Sequence, residues 1–210
     1  MSIVIESVNK QIYDLIRRQI LDRELLPGER IDPRRIAEEN NISVMPVRDA
    51  LRNLTTDGLV VTRERVGFFV RTFGAQEISE IYESRKMFET YCLANHLQEV
   101  SADEISKVIS ELEQTHDDDK LTALDLKVHG MWVYASHNEF LIRQYENMKA
   151  LFALGVEGGY AENRERARTE HIELLKQALA GNREQALALL DKHLETARVE
   201  TMEIYSNYKR

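Results

Sequence analysis

The sequence is short of the residues that break helices and of those that cross-link chains. It has three prolines in 210 residues, and all of them, Pro27, Pro33 and Pro46, fall in the first 46. Everything beyond about residue 75 is free of the strongest helix breaker and is open to long helices. The single cysteine, Cys92, excludes an internal disulfide. That points to a cytoplasmic protein in a reducing environment, with Cys92 acting as a small buried apolar side chain. No apolar run reaches the roughly 18 to 20 residues that span a bilayer, which argues against a membrane partner. Met1-Ser2-Ile3-Val4-Ile5-Glu6 lacks a basic segment ahead of a long apolar one, so it does not read as a secretory signal.

Net positive charge is missing too, since the formal charge is −8. Taken alone, this would argue against a nucleic-acid partner. The charge is unevenly spread, however: residues 1–71 hold 12 Lys and Arg against 11 Asp and Glu, and the remainder holds 16 against 25. A near-neutral head on an acidic body leaves room for one basic face, which is all that DNA binding requires.

The proline-free part reads as successive amphipathic helices near 76–99, 103–116, 120–136, 138–158, 162–180 and 183–207. Ser101-Ala102-Asp103-Glu104 has the form of a capping box. Ala180-Gly181-Asn182 offers a terminating glycine followed by an N-cap asparagine. Gly155, Gly158 and Gly159 predict the loosening of a helix end or a turn.

The first 70 residues are punctuated differently. A helix from about Ser7 to Arg23 carries Ile12, Leu15, Ile16 and Ile20 on one face, and Leu26-Pro27-Gly28-Glu29 forms a turn. Asp32-Pro33 supplies an N-cap and an N1 proline for a short helix reaching Glu39. Asn40-Asn41 turns the chain, and Ser43 caps a third helix with a buried stripe of Val47, Leu51 and Leu54, ended by Gly58. Two β-prone runs, Leu59–Thr62 and Gly67–Val70, follow as a hairpin. This order of helix, helix, turn, helix and hairpin is that of a winged helix-turn-helix. Met45, Arg48, Asp49 and Arg52 fall on the outer side of the third helix, with Ser43 and Pro46 at its start. Arginines so placed contact phosphates or read guanine, unless the face is merely solvated.

The segments Leu26-Pro27-Gly28-Glu29-Arg30-Ile31, Ile36-Ala37, Ile42 to Leu51 and Asp57-Gly58-Leu59-Val60 resemble, in order and spacing, the DNA-binding domain of GntR-family regulators. The resemblance covers roughly residues 8–71. It implies operator contacts at Arg34, Ser43, Met45, Pro46 and Arg48, with Arg63–Gly67 as the wing. Arg52 and Arg65, on the recognition helix and the wing, join that candidate set. The family often has arginine where Val44 and Val66 stand here, so two DNA contacts would be lost.

Six histidines remain, at 96, 116, 129, 137, 171 and 193. Asp125 and His129 lie four apart on one helical face, and His171 and His193 fall on the apolar sides of two later helices. Singly, each histidine would read as a hydrogen-bonded core residue. Together, three inward imidazoles and a carboxylate suit one divalent transition metal per chain, Zn²⁺, Ni²⁺ or Mn²⁺, with positions left open. Asp125, His129, His171 and His193 also match the metal pattern of the FCD-type ligand domain of the FadR subfamily, over about residues 76–205. That resemblance implies an antiparallel helical bundle with small carboxylates bound beside the metal, and it places Arg85 as a carboxylate clamp. The competing reading of Arg85 is an exposed ion pair with Glu89, four residues on. His96, His116 and His137 match no ligand position, and Asp117-Asp118-Asp119 reads as a solvated, N-capping turn.

These readings predict a mostly α protein: a winged helix-turn-helix over 1–73, then an all-α antiparallel bundle over 74–210 for effector binding and dimerisation. The function they point to is a non-enzymatic, metabolite-responsive DNA-binding regulator. It would bind a palindromic operator on double-stranded DNA as a homodimer, act as a repressor, and respond to a small carboxylate effector. Two alternatives are a metal-dependent hydrolase and a regulator that senses the metal itself. The absence of a His-Glu-x-x-His element, and of a general base near the histidines, weighs against the hydrolase.

Overall fold

The computed structural model describes residues 8–156 and 164–208, and the chain divides into two compact units. The first comprises Met1–Gly74 together with Ala150–Gly155, and the second Ala75–Lys149 with Val156–Arg210.

In the first unit, α1 (Val8–Leu21) buries Ile12, Ile16 and Ile20, the stripe its 3.6-residue period predicts. It ends at Leu21 rather than near Arg23, whose φ of 62° is left-handed. Strand β1 (Arg30–Ile31) precedes α2 (Pro33–Glu39), where the Asp32 carboxylate accepts the Arg34 N–H at 2.9 Å and Pro33 occupies N1. Helix α3 (Val44–Thr56) buries Val47, Ala50, Leu51 and Leu54. Ser43 stands at its N-cap with extended backbone, but its side chain makes no capping hydrogen bond, which corrects the expectation of a serine cap. The chain leaves α3 through Gly58 at φ 81°, where a side chain would be strained, as Leu59 N–H reaches back to Leu54 C=O at 3.0 Å. Strands β2 (Val60–Arg63) and β3 (Gly67–Val70) form the hairpin, pairing Val61 with Phe69.

The sheet has three antiparallel strands in the order β1-β3-β2, where the sequence predicted a two-stranded hairpin. At two residues, β1 is too short to show an alternating pattern. Val47, Leu51, Leu54 and Leu59 are fully buried in this unit's core, joined by Ala150 and Leu154 from far along the chain. Each large apolar side chain so buried contributes about 1.5–3 kcal/mol.

The second unit is all-helical. It contains α4 (Ala75–His96, followed by a 3₁₀ turn at Leu97–Glu99), α5 (Ala102–Gln114) and α6 (Asp118–Ala135). The first part of α7 (Glu139–Gly155), α8 (Arg164–Leu179) and α9 (Arg183–Tyr208) complete it. The Ser101 hydroxyl accepts the Glu104 N–H at 3.2 Å and the Asp117 carboxylate accepts the Lys120 N–H at 2.9 Å, so both predicted caps form. Helix α4 packs on α9 and α6, and α8 packs on α9 and α5. This places α4, α6, α8 and α9 around one interior. The turn predicted at Gly158 and Gly159, and the start of the helix expected from 162, lie outside the described residues, as does Ser7.

Candidate DNA-reading surface and metal centre

Helix α3 turns Met45, Arg48 and Arg52 outward, because Val47, Ala50, Leu51 and Leu54 are held inward by the core. Arg34 is exposed at the start of α2, Ser43 is exposed ahead of α3, and Pro46 is half-buried in its first turn. Arg52 bonds Asp49 at 3.3 Å across the exposed face, a contact of small net strength in water. In the wing, Arg65 is exposed at φ 60°, an unusual conformation for a branched or long side chain. The wing is braced from two sides: Arg30 donates to the Val66 carbonyl at 3.1 Å, and the Arg63 guanidinium lies 4.3 Å from the Phe69 ring centroid. Sequence reasoning passed over Arg30, since only the β1–β3 pairing brings it to the wing.

In the helical unit Asp125, His129, His171 and His193 come together from α6, α8 and α9, and all four are buried. His171 Nε2 lies 3.2 Å from both His129 Nε2 and His193 Nε2, and Asp125 Oδ1 lies 3.7 Å from the Nε2 atoms of His129 and His171. The outer nitrogens are committed elsewhere. His129 Nδ1 donates to Glu89 Oε2, and His193 Nδ1 donates to Glu170 Oε2, both at 2.6 Å. A carboxylate only accepts, so the Nδ1 atoms carry the protons and the Nε2 lone pairs of His129 and His193 face inward. One proton on His171 Nε2 could satisfy only one of them. A divalent ion satisfies all three: with metal–nitrogen bonds of about 2.0–2.1 Å, bond angles of 90–109° separate two nitrogens by roughly 2.9–3.4 Å. The observed 3.2 Å falls in that interval. The donor set fits a divalent metal, and the carboxylates behind the imidazoles are the partners that orient such ligands.

The electrostatics favour neutral imidazoles at His171 and His193 and ionised carboxylates at Glu89 and Glu170. Burial pushes the His171 pKa well below the usual histidine value, reinforced by the neighbouring His129 and His193. Burial lowers His193 as well. Burial alone would raise Glu89, but its interactions and hydrogen bonds with His129 and Arg85 outweigh it and hold the carboxyl down to about 2. Glu170 is lowered likewise, with His193 and Arg166 overcoming its desolvation.

Arg85 is buried, not exposed, and its Nε donates to Glu89 Oε1 at 3.1 Å. The Arg85–Glu89 pair anticipated from the four-residue spacing exists, but inside the bundle. Tyr145 OH also donates to Glu89, at 3.3 Å. A small cleft of about 40 Å³ opens beside the centre, lined by Arg85, Asp125, His129, His193, Arg166 and Glu200 among others. Glu170, Arg166 and Glu200 went unnoticed in the sequence, and Glu89 was read there only as an exposed partner of Arg85. Their one signal was spacing: Glu89 four residues after Arg85, and Glu170 four after Arg166. His96 pairs with Glu99 at 2.9 Å, while His116 and His137 are exposed, so none of the three joins the centre.

A helix with an exposed basic face, and a helical unit built round a histidine trio beside a cleft, are the parts of a DNA-binding regulator with a second, all-helical domain. The comparisons with known proteins agree. Residues 8–70 match the bacterial regulatory proteins of the gntR family, and residues 80–196 match the FCD domain. The chain belongs to the GntR family of bacterial transcription regulators and carries an FCD domain; it is not an enzyme. The Nta operon transcriptional regulator of Aminobacter aminovorans is 28% identical over 196 residues, covering 86% of this chain and 91% of that protein. The HTH-type transcriptional regulator YdhC of Bacillus subtilis is 29% identical over 67% of this chain and 66% of its own length. Among solved structures, Escherichia coli McbR/YncC superposes with a TM-score of 0.77 at 20% identity, covering 96% of this chain and 100% of that one, a likeness of fold. The Zn²⁺-bound FCD domain of TM0439 superposes with a TM-score of 0.58 at 26% identity, covering 62% of this chain and 95% of that one.

Proposed function

We propose that this protein is a cytoplasmic, homodimeric regulator, acting as a repressor, that binds a palindromic operator through residues 1–73. Its response comes from residues 74–210, where a small carboxylate binds beside one divalent transition metal. The observation that carries this reading is the meeting of three buried imidazoles, with His171 Nε2 3.2 Å from the Nε2 atoms of both His129 and His193, beside a cleft lined by His129, His193 and Arg85.

In this reading Asp125, His129, His171 and His193 hold the ion, whether zinc, nickel or manganese. When bound, it supplies a Lewis-acidic position for a carboxylate oxygen. Glu89 and Glu170 keep the outer protons of His129 and His193 in place, which aims their lone pairs. Arg85 steers the carboxylate. On the DNA side, Arg34, Ser43, Met45, Pro46, Arg48, Arg52 and Arg65 contact the operator, and two recognition helices read its half-sites. The cleft beside the centre favours a bound molecule over a regulator that senses the ion alone.

The test combines metal analysis of the purified protein, light scattering and operator gel shifts with chelator, metals and a carboxylate panel. One transition metal per chain, a dimer, and release of operator by a carboxylate only in the metal-loaded protein are the expected results. A protein that carries no ion, and whose melting temperature ignores added Zn²⁺, Ni²⁺ and Mn²⁺, would overturn the assignment of the centre. A monomer that binds a single half-site tightly would overturn the dimer.

A further inference from the structure

Among the described elements, helix α7 belongs to both units: residues 139–149 lie in the second and Ala150–Gly155 in the first. It also buries two faces. At about 100° per residue, Tyr145, Met148 and Phe152 fall in one narrow sector, and Ala150, Leu151 and Leu154 fall on the reverse side. Each face is anchored at a functional place. On the first, the Tyr145 phenol donates to Glu89 Oε1 at 3.3 Å, and the other oxygen of that carboxylate accepts the His129 Nδ1–H at 2.6 Å. The Tyr145 ring is held edge-on by Phe88 and Tyr134. On the second face, Ala150 and Leu154 complete the core that contains Val47, Leu51 and Leu54 of α3, and Leu151 packs against it. A methyl group at Gly58, where the chain leaves α3, would stand 3.4 Å from Leu151 Cδ2. Arg23 fastens the end of the helix, donating to the Ala153 carbonyl at 3.0 Å.

We infer that α7 is the relay by which the metal centre acts on the recognition helix, with Tyr145 as its positioning residue. The phenol–Glu89 bond ties α7 to the His129 side of the centre, and Ala150, Leu151 and Leu154 carry that tie into the core behind α3. This rests on the reading of Asp125, His129, His171 and His193 as a metal centre, and it names how that centre is coupled to DNA binding.

The connection is short and stiff. An ion on His129 Nε2 draws electron density from the ring and makes its Nδ1–H a stronger donor to Glu89. Glu89 is then held more firmly in the position where Tyr145 reaches it. From Tyr145 to Gly155 the helix runs about 15 Å, and its backbone ladder makes it move as one body. Close-packed cores do not absorb small shifts continuously, so the seat of Tyr145 constrains that of Leu151 and Leu154. The other covalent connection, residues 71–74, is neither helix nor strand and does not pass a displacement of α4 rigidly. A core ordered in this way loses less freedom on binding DNA, so the zinc-loaded protein binds operator more tightly than the metal-free one. By linkage, operator tightens zinc binding to the same degree.

The test uses the full chain, metal-free and zinc-loaded, with a DNA duplex that the wild-type protein selects from random sequence. Fluorescence anisotropy reads operator affinity, and hydrogen exchange by mass spectrometry reads the backbone. Zinc is expected to tighten operator binding about fivefold or more, and to slow exchange over residues 150–155 and along α3 as well as around the histidines. Tyr145→Phe keeps the ring and removes the hydroxyl. It is expected to take up one zinc per chain, to reduce the zinc effect on operator binding below about twofold, and to leave exchange over 150–155 and α3 indifferent to zinc. Leu151→Ala, at the other end of the relay, is expected to do the same, and it decides the matter if Tyr145→Phe fails to hold zinc. Variants that weaken operator binding equally with and without zinc, keeping the wild-type ratio, would show a structural role alone and overturn the relay. So would a wild-type protein that takes up zinc without any change in operator affinity or in exchange along α3, and the metal centre would then stand. A wild-type protein that takes up no zinc overturns the centre and the relay with it.

Discussion

Replacing Glu89 by glutamine isolates the group on which the helical unit's polar interior turns. Glu89 is 2% exposed and accepts three hydrogen bonds, from Arg85 Nε, His129 Nδ1 and Tyr145 OH. Glutamine keeps the shape and one acceptor oxygen but removes the negative charge and sets an N–H₂ group against a donor. Arg85 then stays buried without its carboxylate. Breaking a buried ion pair by neutralising one partner costs about 3–5 kcal/mol. For a chain of this size that corresponds to a fall in melting temperature of roughly 6–20 °C. Losing the charged acceptor behind His129 should also weaken metal binding about 10- to 100-fold, since Glu89 both orients the ring and raises its basicity. Circular dichroism melts with and without zinc, together with zinc titration against a competing chelator, measure both effects. A Glu89→Gln protein that melts within about 2 °C of wild type and holds zinc equally would show that Glu89 neither anchors Arg85 nor positions His129.

The remaining expectations concern the DNA-binding unit. Arg48→Ala should weaken specific operator binding by about 1–3 kcal/mol in gel shifts at fixed salt, with no change in melting temperature; unchanged affinity would mean α3 does not read the groove. Leu54→Ala, at a site with no exposure, should cost about 2–5 kcal/mol in urea unfolding, and a loss under 1 kcal/mol would contradict the packing around α3. Tyr13 OH donates to Asp57 at 2.6 Å, and burial, reinforced by Asp57, pushes its pKa up to about 12. The bond needs the protonated phenol, so its contribution of about 1 kcal/mol is complete below pH 10 and is lost as pH rises toward 12. The stability gap between wild type and Tyr13→Phe should narrow over that range, and a gap independent of pH would exclude the bond.

Local chemistry wrote much of this protein directly into its sequence. The Asp32-Pro33 start of α2, the Gly58 exit from α3, the Ser101 and Asp117 caps and the periodic stripe of Ile12, Ile16 and Ile20 each depend on residues within a turn or two of one another. The inward aim of His129, His171 and His193 was legible for the same reason, since helical period alone puts each on an apolar face. Ser43 shows the limit of local reasoning: a good capping residue takes the cap position without making the bond.

What only the tertiary structure decided involves partners distant in the chain. Whether the three histidines meet depends on how α6, α8 and α9 pack, and their 3.2 Å approach could not be read from any one helix. The same packing buries the Arg85–Glu89 pair that four-residue spacing made look like a surface contact, and so turns a weak interaction into a constraint on the site. Strand β1 exists because β3 offers it an edge, and Glu200 matters because Arg166 lies across from it on α8. Helix period fixes the direction of a side chain within its own helix; what it meets there is set by apolar burial that brings remote segments together.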